Sequence, residues 1–221
     1  MIALPTPCVY LVTDRHRLSP TARTVDEEIR ALEAFLDQAV EAAADVIQIR
    51  EPDLEARRLR ALAARVGARA RGRSRVLVND RVDVALAAGV DGVHLRADSA
   101  PTADARRLGP AGWIVGRSVH APDEAGGELD ATYVLFGAVF PTRSKPDRPA
   151  AGLDRLRDAV AASHRPVLAI GGMTPERAAA ARAVGAAGVA AIGVFLPPRL
   201  APGALGPADA VRALRAAMQP R

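Results

Sequence analysis

Two residue types occur only once in this chain, and both occurrences lie among other polar residues. Lys145, in the stretch 139–149, is the single lysine, and Asn79 is the single asparagine. A lysine ammonium is a compact point charge and an arginine guanidinium is a planar fork, so a site built for one is not equally served by the other. We therefore treat both residues as candidates for a functional site, with a leftover surface lysine as the alternative.

One set of candidates could bind a pyrophosphate or a phosphate. Two cations and several neutral donors can together stabilise such an anion through charge-assisted hydrogen bonds. The members of this set are Gln48, Arg50, Asn79, Thr142, Ser144 and Lys145. Their spacing along the chain indicates that they come from different elements of the fold.

A second anion site is predicted around Gly171 and Gly172. Glycines allow backbone N–H groups to approach a phosphate closely, and Thr174-Pro175 opens a helix whose N-terminus adds positive potential. The run 188–196 contributes Ile192 and Gly193 to the same site. A tight turn that requires glycine is the alternative, and the two interpretations are compatible.

Two aspartates could hold a magnesium ion. Asp80 follows Asn79 directly, and Asp98 comes shortly after the run 92–95. Magnesium keeps several waters and is commonly bound by one or two carboxylates together with substrate phosphates. Either aspartate could instead cap a following helix.

His120 is the candidate for proton transfer near neutral pH, because imidazole titrates in that range. It follows Ser118 at the end of a β-rich run, and a hydrogen bond to a neighbouring loop is the alternative role for its ring. His94 alternates with apolar neighbours, so we interpret it as structural. Ser118, His120 and Lys145 are the predicted catalytic residues.

The elements that position these residues follow from hydrophobic patterning. Short β-rich apolar runs alternate with Ala/Leu/Arg/Glu stretches of helical spacing. The runs are 8–14, 46–50, 75–80, 92–95, 113–120, 133–140, 166–172 and 188–196. Eight such runs predict an α/β fold with a single parallel (β/α)₈ TIM barrel over residues 1–221, because a doubly wound sheet usually needs fewer strands. A barrel places its chemistry at the carboxyl ends of its strands, where the candidates lie.

Composition excludes several other classes of protein. The net charge is +5, but the arginines are spread along predicted helices and aromatic residues make up 3% of the chain, so we expect no nucleic-acid partner. No apolar run is long enough for a membrane span, and the first residues lack a charged leader. The single cysteine, Cys8, is expected in a buried strand. These features favour a cytoplasmic protein, with a homodimer as its conceivable assembly.

Six motifs in order resemble one known superfamily, that of thiamine phosphate synthase and the TenI-type thiazole tautomerase. They are QIREP, LVND, DGVHL, GRSVH, FGAVFPTRSKP and AIGGMTPERA. The synthase branch joins an aminopyrimidine pyrophosphate to a thiazole phosphate and uses Mg²⁺. For that branch the resemblance implies that Gln48, Arg50, Asn79 and Lys145 contact pyrophosphate, Asp80 binds the metal, Ser118 and Thr142 line the pocket, and Gly172 and Gly193 hold the thiazole phosphate.

The sequence also departs from the synthase pattern. Pro52 stands where the family has a lysine, and RADS at 96–99 leaves Asp98 one place from the family's metal ligand. GRSVH and AIGGMTP look closer to the tautomerase branch, in which a proton moves on a carboxythiazole phosphate, His120 is the matching acid/base, and no cofactor is needed. We therefore expect the tautomerase. The synthase is the alternative, and a non-catalytic regulator that binds a phosphorylated ligand is a third hypothesis.

Overall fold

Eight parallel strands close into a barrel in which β1 pairs with both β2 and β8. The structure is a computed structural model that describes residues 3–142 and 149–219. The strands are β1 (Cys8–Val12), β2 (Val46–Ile49), β3 (Arg75–Asn79), β4 (Gly92–Leu95), β5 (Ile114–Val119), β6 (Tyr133–Gly137), β7 (Val167–Ile170) and β8 (Gly188–Ala191). The predicted (β/α)₈ fold is confirmed.

Helices surround the barrel. They are α1 (Arg15–Leu18), α2 (Val25–Glu41), α3 (Ala56–Ala70), α4 (Val82–Ala88), α5 (Thr102–Leu108), α6 (Pro122–Gly127), α7 (Gly152–Ala162), α8 (Pro175–Ala183) and α9 (Pro207–Ala217). In α2, Leu32, Leu36 and Val40 recur every four residues and are buried, and Thr24 caps the N-terminus through the backbone N–H of Glu27. Among the described helices, none combines the length and apolar character that crossing a bilayer requires.

Alternation along the strands separates two apolar clusters. In β1, Cys8 and Tyr10 belong to the cluster inside the barrel, whereas Val9 and Leu11 pack outward against the helices. Cys8 is buried, as predicted, and burial raises the pKa of its thiol. The same alternation turns polar residues of β2 to β5 toward the barrel interior, where they line a cavity: Gln48, Asn79, His94 and Ser118.

Several predicted strands end earlier than their apolar runs. The run 188–196 was expected to carry β8 through Gly193, but the strand stops at Ala191 and residues Gly193–Phe195 form a 3₁₀ turn. After Ala191 the backbone bonds to a later loop, since Leu205 N–H donates to the carbonyl of Val194. The buried Phe195 thus serves packing against the helices, a role that an apolar pattern alone cannot distinguish from a strand.

Candidate active site

A cavity of about 830 Å³ opens at the carboxyl ends of the strands. Most of the predicted site residues line it together. They are Gln48, Arg50, Asn79, Asp98, Ser118, His120, Thr142, Gly171, Gly172, Ile192 and Gly193. Asp80 lies beside the cavity and does not line it, and Ser144 and Lys145 fall outside the described residues.

The β2 and β3 side of the cavity presents a cation and an amide. Gln48 Nε2 donates to Asn79 Oδ1 at 2.8 Å, which leaves the Asn79 amino group as a donor for a ligand. The backbone N–H of Arg50 donates to Thr13 Oγ1 at 2.9 Å, so the chain that carries the Arg50 guanidinium is tied to the end of β1. This pairing of a guanidinium with an amide suits an anionic ligand.

Gln48 also begins a buried chain of hydrogen bonds that crosses the barrel. Tyr10 donates from its hydroxyl to Gln48 Oε1 at 2.9 Å and lies 2.8 Å from the hydroxyl of Tyr133. Tyr133 lies 2.9 Å from His94 Nδ1, and His94 Nε2 lies 2.9 Å from Ser118 Oγ. These hydrogen bonds therefore connect Gln48 on β2 to Ser118 on β5 through the interior of the barrel.

The proton directions in this chain follow from the orientation of Gln48. Tyr10 has one hydroxyl proton and gives it to Gln48, so Tyr133 must donate to Tyr10 and accept from His94 Nδ1–H. His94 Nε2 then accepts from the Ser118 hydroxyl. Ser118 consequently offers oxygen lone pairs to the cavity, which suits N–H groups on a ligand.

Burial lowers the pKa of His94 to about 3 and keeps its ring neutral, with the charges of Arg117 and Arg50 as smaller causes. The prediction that His94 is structural agrees with this placement. Gly116 makes room for the arrangement, because a Cβ there would lie 2.2 Å from the Tyr133 hydroxyl. Tyr10 and Tyr133 were not among the predicted site residues.

The neutral His94 gives the fold a specific pH dependence. The unfolded chain protonates this residue below about pH 6.5 whereas the folded chain does not until about pH 3, so the free energy of unfolding falls as pH decreases through that window. Between pH 6.5 and pH 5 we expect the free energy of unfolding to fall by about 2 kcal/mol. Urea unfolding at several pH values should show that His94→Gln flattens this slope and that His164→Gln, a change at an exposed loop, does not. An unchanged slope in His94→Gln would refute the assignment.

His120 lies on the same face, held by two contacts. Its Nδ1 is 2.6 Å from the carbonyl of Gly137, and because a carbonyl only accepts, Nδ1 carries the proton and Nε2 is the acceptor in the neutral ring. Its backbone N–H donates to Glu124 Oε2 at 2.7 Å. The ring thus makes a hydrogen bond to the end of β6, where a bond to a neighbouring loop was the predicted alternative, and it also lines the cavity.

The β7 and β8 side carries the predicted phosphate site. Gly171 and Gly172 have φ values of +107° and +61°, and a Cβ on either would lie within 3 Å of backbone or side-chain atoms around Ala138 and Pro141. Thr174 Oγ1 accepts from the backbone N–H of Arg177 and so caps α8. The glycines therefore permit a tight turn, which was the alternative role predicted for them. They also leave the backbone accessible at a helix N-terminus.

Two arginines that were not predicted from the sequence lie at this predicted phosphate site. Arg177 donates to the carbonyl of Gly172 at 2.6 Å and stacks over the ring of Phe140. Arg17 also lines the cavity, and its Nη2 lies 3.5 Å from where a Cβ on Gly193 would be. Arg177 could have been found from its place in the first turn of the helix after Gly172, whereas Arg17 comes from the short α1 and its spacing gives no signal.

The two predicted metal ligands are engaged by other side chains. Arg96 donates from Nε and Nη2 to the two oxygens of Asp98, and this hydrogen bond is the main cause that lowers the Asp98 pKa. Asp80 accepts from the Ser99 hydroxyl through Oδ1, and its Oδ2 lies 3.7 Å from Arg96 Nη1. Asp80 does not cap α4, whose N-cap is Arg81 without a side-chain cap bond.

This donor set does not fit a magnesium ion. Over the ranges that the structure describes, no group of three or more His, Cys, Asp or Glu side chains is placed to hold a metal, so the one or two carboxylates that magnesium needs beside phosphate oxygens would have to be Asp80 and Asp98. Both aspartates already face one guanidinium, which would repel a divalent cation at the same oxygens.

A buried ion-pair cluster supports the ends of β1 and β2. Arg15, which is 2% exposed, contacts Glu28 at 2.9 Å, Glu51 at 3.0 Å and Asp53 at 2.6 Å. Burial raises the pKa of Glu51, and the hydrogen bond from Arg15 lowers the pKa of Asp53. Because Glu51 also accepts a hydrogen bond from the Thr13 hydroxyl, the cluster fixes the segment after β2 that carries Arg50.

Comparison with known proteins places the chain in one family over most of its length. The TMP-TENI family, described as thiamine monophosphate synthase, matches residues 9–195. A thiamine-phosphate synthase of Roseiflexus sp. (strain RS-1) is 39% identical over 212 residues, covering 94% of this chain and 84% of that protein. The thiamine-phosphate synthase of Roseiflexus castenholzii is 40% identical over 211 residues, covering 93% and 86%.

A solved structure agrees with the sequence comparisons. Thiamine phosphate pyrophosphorylase from Pyrococcus furiosus superposes with a TM-score of 0.78 and is 31% identical, covering 96% of this chain and 95% of that one. These relatives carry synthase names, so they do not support our preference for the tautomerase branch. The chain belongs to the thiamine monophosphate synthase (TMP-TENI) family and is an enzyme of thiamine biosynthesis.

Proposed function

We propose that this enzyme is a thiamine-phosphate synthase, which joins an aminopyrimidine pyrophosphate to a thiazole phosphate and releases pyrophosphate. One observation carries the proposal: residues suited to binding an anion line two separate sides of one cavity. Arg50 and Asn79 stand at the ends of β2 and β3, and Gly171, Gly172 and Gly193 stand after β7 and β8. Two phosphorylated substrates need two such groups, whereas an isomerase that acts on a thiazole phosphate needs one.

The reaction requires stabilisation of a leaving group more than proton transfer. The thiazole ring nitrogen forms a bond to the methylene carbon of the pyrimidine, the bond from that carbon to the pyrophosphate oxygen breaks, and its electron pair leaves with pyrophosphate. Negative charge therefore grows on the pyrophosphate in the transition state. The Arg50 guanidinium and the Asn79 amino group are donors that can stabilise this charge, and donors fixed in advance do so most effectively.

The buried hydrogen-bond chain supplies fixed donors and acceptors for the rest of the substrates. Gln48 holds Asn79 with its amino group free for the pyrophosphate. Ser118, whose proton is directed at His94, presents an acceptor that matches the amino group of an aminopyrimidine. We infer that the pyrimidine lies between these two ends of the chain, with its pyrophosphate toward Arg50.

The thiazole tautomerase remains a second candidate because of one observation at His120. Its Nδ1 donates to the carbonyl of Gly137, so the neutral ring has an acceptor nitrogen at Nε2 that could take a proton from a bound thiazole. General acid–base catalysis of this kind contributes typically 10²–10⁴-fold. A tautomerase would use only the phosphate site near Gly171 and Gly172.

The proposal is tested by supplying substrates separately and together. Purified enzyme with both phosphorylated substrates should yield thiamine phosphate, measured by chromatography, and omission of either substrate should yield none. A parallel reaction with non-aromatic carboxythiazole phosphate alone reports isomerisation. Rapid isomerisation without thiamine phosphate would favour the tautomerase, and ligand binding with neither product would favour the regulatory protein.

A further inference from the structure

Arg96 is an arginine of the cavity that the predicted roles do not use. It follows β4 directly, its side chain is 55% exposed, and it lines the cavity together with Arg50 and Asn79. Its guanidinium faces both aspartates that had been expected to bind magnesium. A cation of the protein itself therefore occupies the position where a metal was predicted.

We propose that the Arg96 guanidinium replaces the divalent ion, so that this enzyme binds the pyrophosphate group without magnesium. The inference rests on the proposed synthase function, because it assigns a residue to the pyrophosphate side of that site. It makes Arg96 a binding residue for the leaving group. Arg96 also supplies a positive charge in a chain where Pro52 replaces the lysine of the synthase pattern.

The contacts of Asp80 and Asp98 carry the argument. Both oxygens of Asp98 accept from Arg96, and Asp80 divides its oxygens between the Ser99 hydroxyl and the neighbourhood of Arg96 Nη1, 3.7 Å away. A divalent ion on these oxygens would have to lie beside the guanidinium and would be repelled by it. A phosphate group, in contrast, is attracted to the same guanidinium, and two of its oxygens can accept two parallel hydrogen bonds from it.

Hydrogen bonds hold the backbone of the segment that carries Arg96 in place. Arg117 donates to the carbonyls of Ala97, Ser99 and Ala100 at 3.0, 3.3 and 2.9 Å. The backbone N–H of Arg96 donates to Ser99 Oγ at 3.0 Å. A guanidinium has five N–H donors and Asp98 takes two of those on Arg96, so the remaining N–H groups on Nη1 and Nη2 can donate to a phosphate while the pairing with Asp98 stays in place.

Titration calorimetry with inorganic pyrophosphate tests the inference directly. Wild-type enzyme should bind pyrophosphate with the same affinity, within about threefold, in buffer with EDTA and in buffer with magnesium. Arg96→Ala should weaken binding in EDTA by about tenfold or more, as expected for the loss of charged hydrogen bonds. The matched control is Arg81→Ala, which removes an exposed arginine with the same two-contact pairing, to Asp83, outside the cavity lining.

A second variant tests whether a magnesium site can be created beside Asp80. Arg96→Gly combined with Ser99→Asp removes the guanidinium and places a carboxylate against Asp80, since Ser99 already contacts that side chain. This variant should bind pyrophosphate only when magnesium is present, and its dependence on the metal can be measured even if turnover is low.

The outcomes separate this inference from the proposed function. Pyrophosphate binding by the wild type only with magnesium, with Arg96→Ala equal to wild type, would overturn the role of Arg96 while condensation activity could still be measured. Absence of pyrophosphate binding in both buffers, together with absence of condensation, would overturn the synthase proposal itself.

Discussion

Replacing Arg50 with alanine is expected to lower kcat/KM for condensation by about a hundred-fold. The guanidinium lines the cavity on the side assigned to the pyrophosphate, where charge grows as the leaving group departs. A charged hydrogen bond contributes about 1.5–3 kcal/mol, and each 1.36 kcal/mol corresponds to a factor of ten in rate. Arg50→Lys keeps the charge but loses the planar fork, so it should recover only part of the activity.

The Arg50→Ala variant should keep the native position of its loop, so its effect can be assigned to the lost guanidinium. The hydrogen bond from residue 50 to Thr13 Oγ1 is donated by the main-chain N–H and is retained in the alanine variant, so the loop should keep its position. Arg58→Ala is the matched control, because it removes an exposed arginine that pairs with Asp26 on the outer helices. Steady-state kinetics with both substrates varied would contradict the assignment if Arg50→Ala and Arg58→Ala were equally active.

Replacing Arg15 with methionine is expected to lower the free energy of unfolding by about 3–5 kcal/mol at neutral pH. Removal of one partner from a buried ion pair leaves the other charge without compensation, and this loss is larger than the net contribution of the pair. Here the buried partner is Glu51, which is 3% exposed and whose pKa burial already raises. Urea unfolding followed by circular dichroism measures the change.

Two comparisons sharpen the stability test. Arg15→Met combined with Glu51→Gln removes the stranded charge and should recover part of the loss, so the two substitutions should not be additive. Arg212→Ala breaks an exposed ion pair with Asp209 and should change stability by less than about 1 kcal/mol. Equal destabilisation by Arg15→Met and Arg212→Ala would show that the buried cluster is not what supports this end of the barrel.

The barrel and much of its site could be predicted because both depend on local patterns. Alternating apolar runs identify the strands, and the barrel topology then brings Gln48, Asn79 and Ser118 to one face. The buried chain of hydrogen bonds that connects Gln48 to Ser118 could not be predicted, because the sequence around Tyr10 and Tyr133 is typical of ordinary core residues in a strand. Their contact depends on how distant strands align across the barrel, which no single segment encodes.

The preference for the tautomerase rested on too few positions. Pro52 and the stretch 96–99 do depart from the synthase pattern: Pro52 removes a cation, and the stretch 96–99 leaves Asp98 one place from the family's metal ligand. The structure shows that Arg96 of this same stretch lines the cavity, together with Arg17 and Arg177 from other elements. In a chain whose basic residues are almost all arginine, the relevant ones could not be selected by residue type alone, only by position.

The central claim is that one cavity condenses two phosphorylated substrates, and ³¹P nuclear magnetic resonance of a single reaction tests it most directly. Enzyme, aminopyrimidine pyrophosphate and thiazole phosphate are mixed, and the phosphorus signals are followed with time. We predict that free pyrophosphate and thiamine phosphate appear together in equal amounts while both substrates disappear. A pyrophosphate substrate that stays intact while enzyme and thiazole phosphate are present in excess would contradict the account.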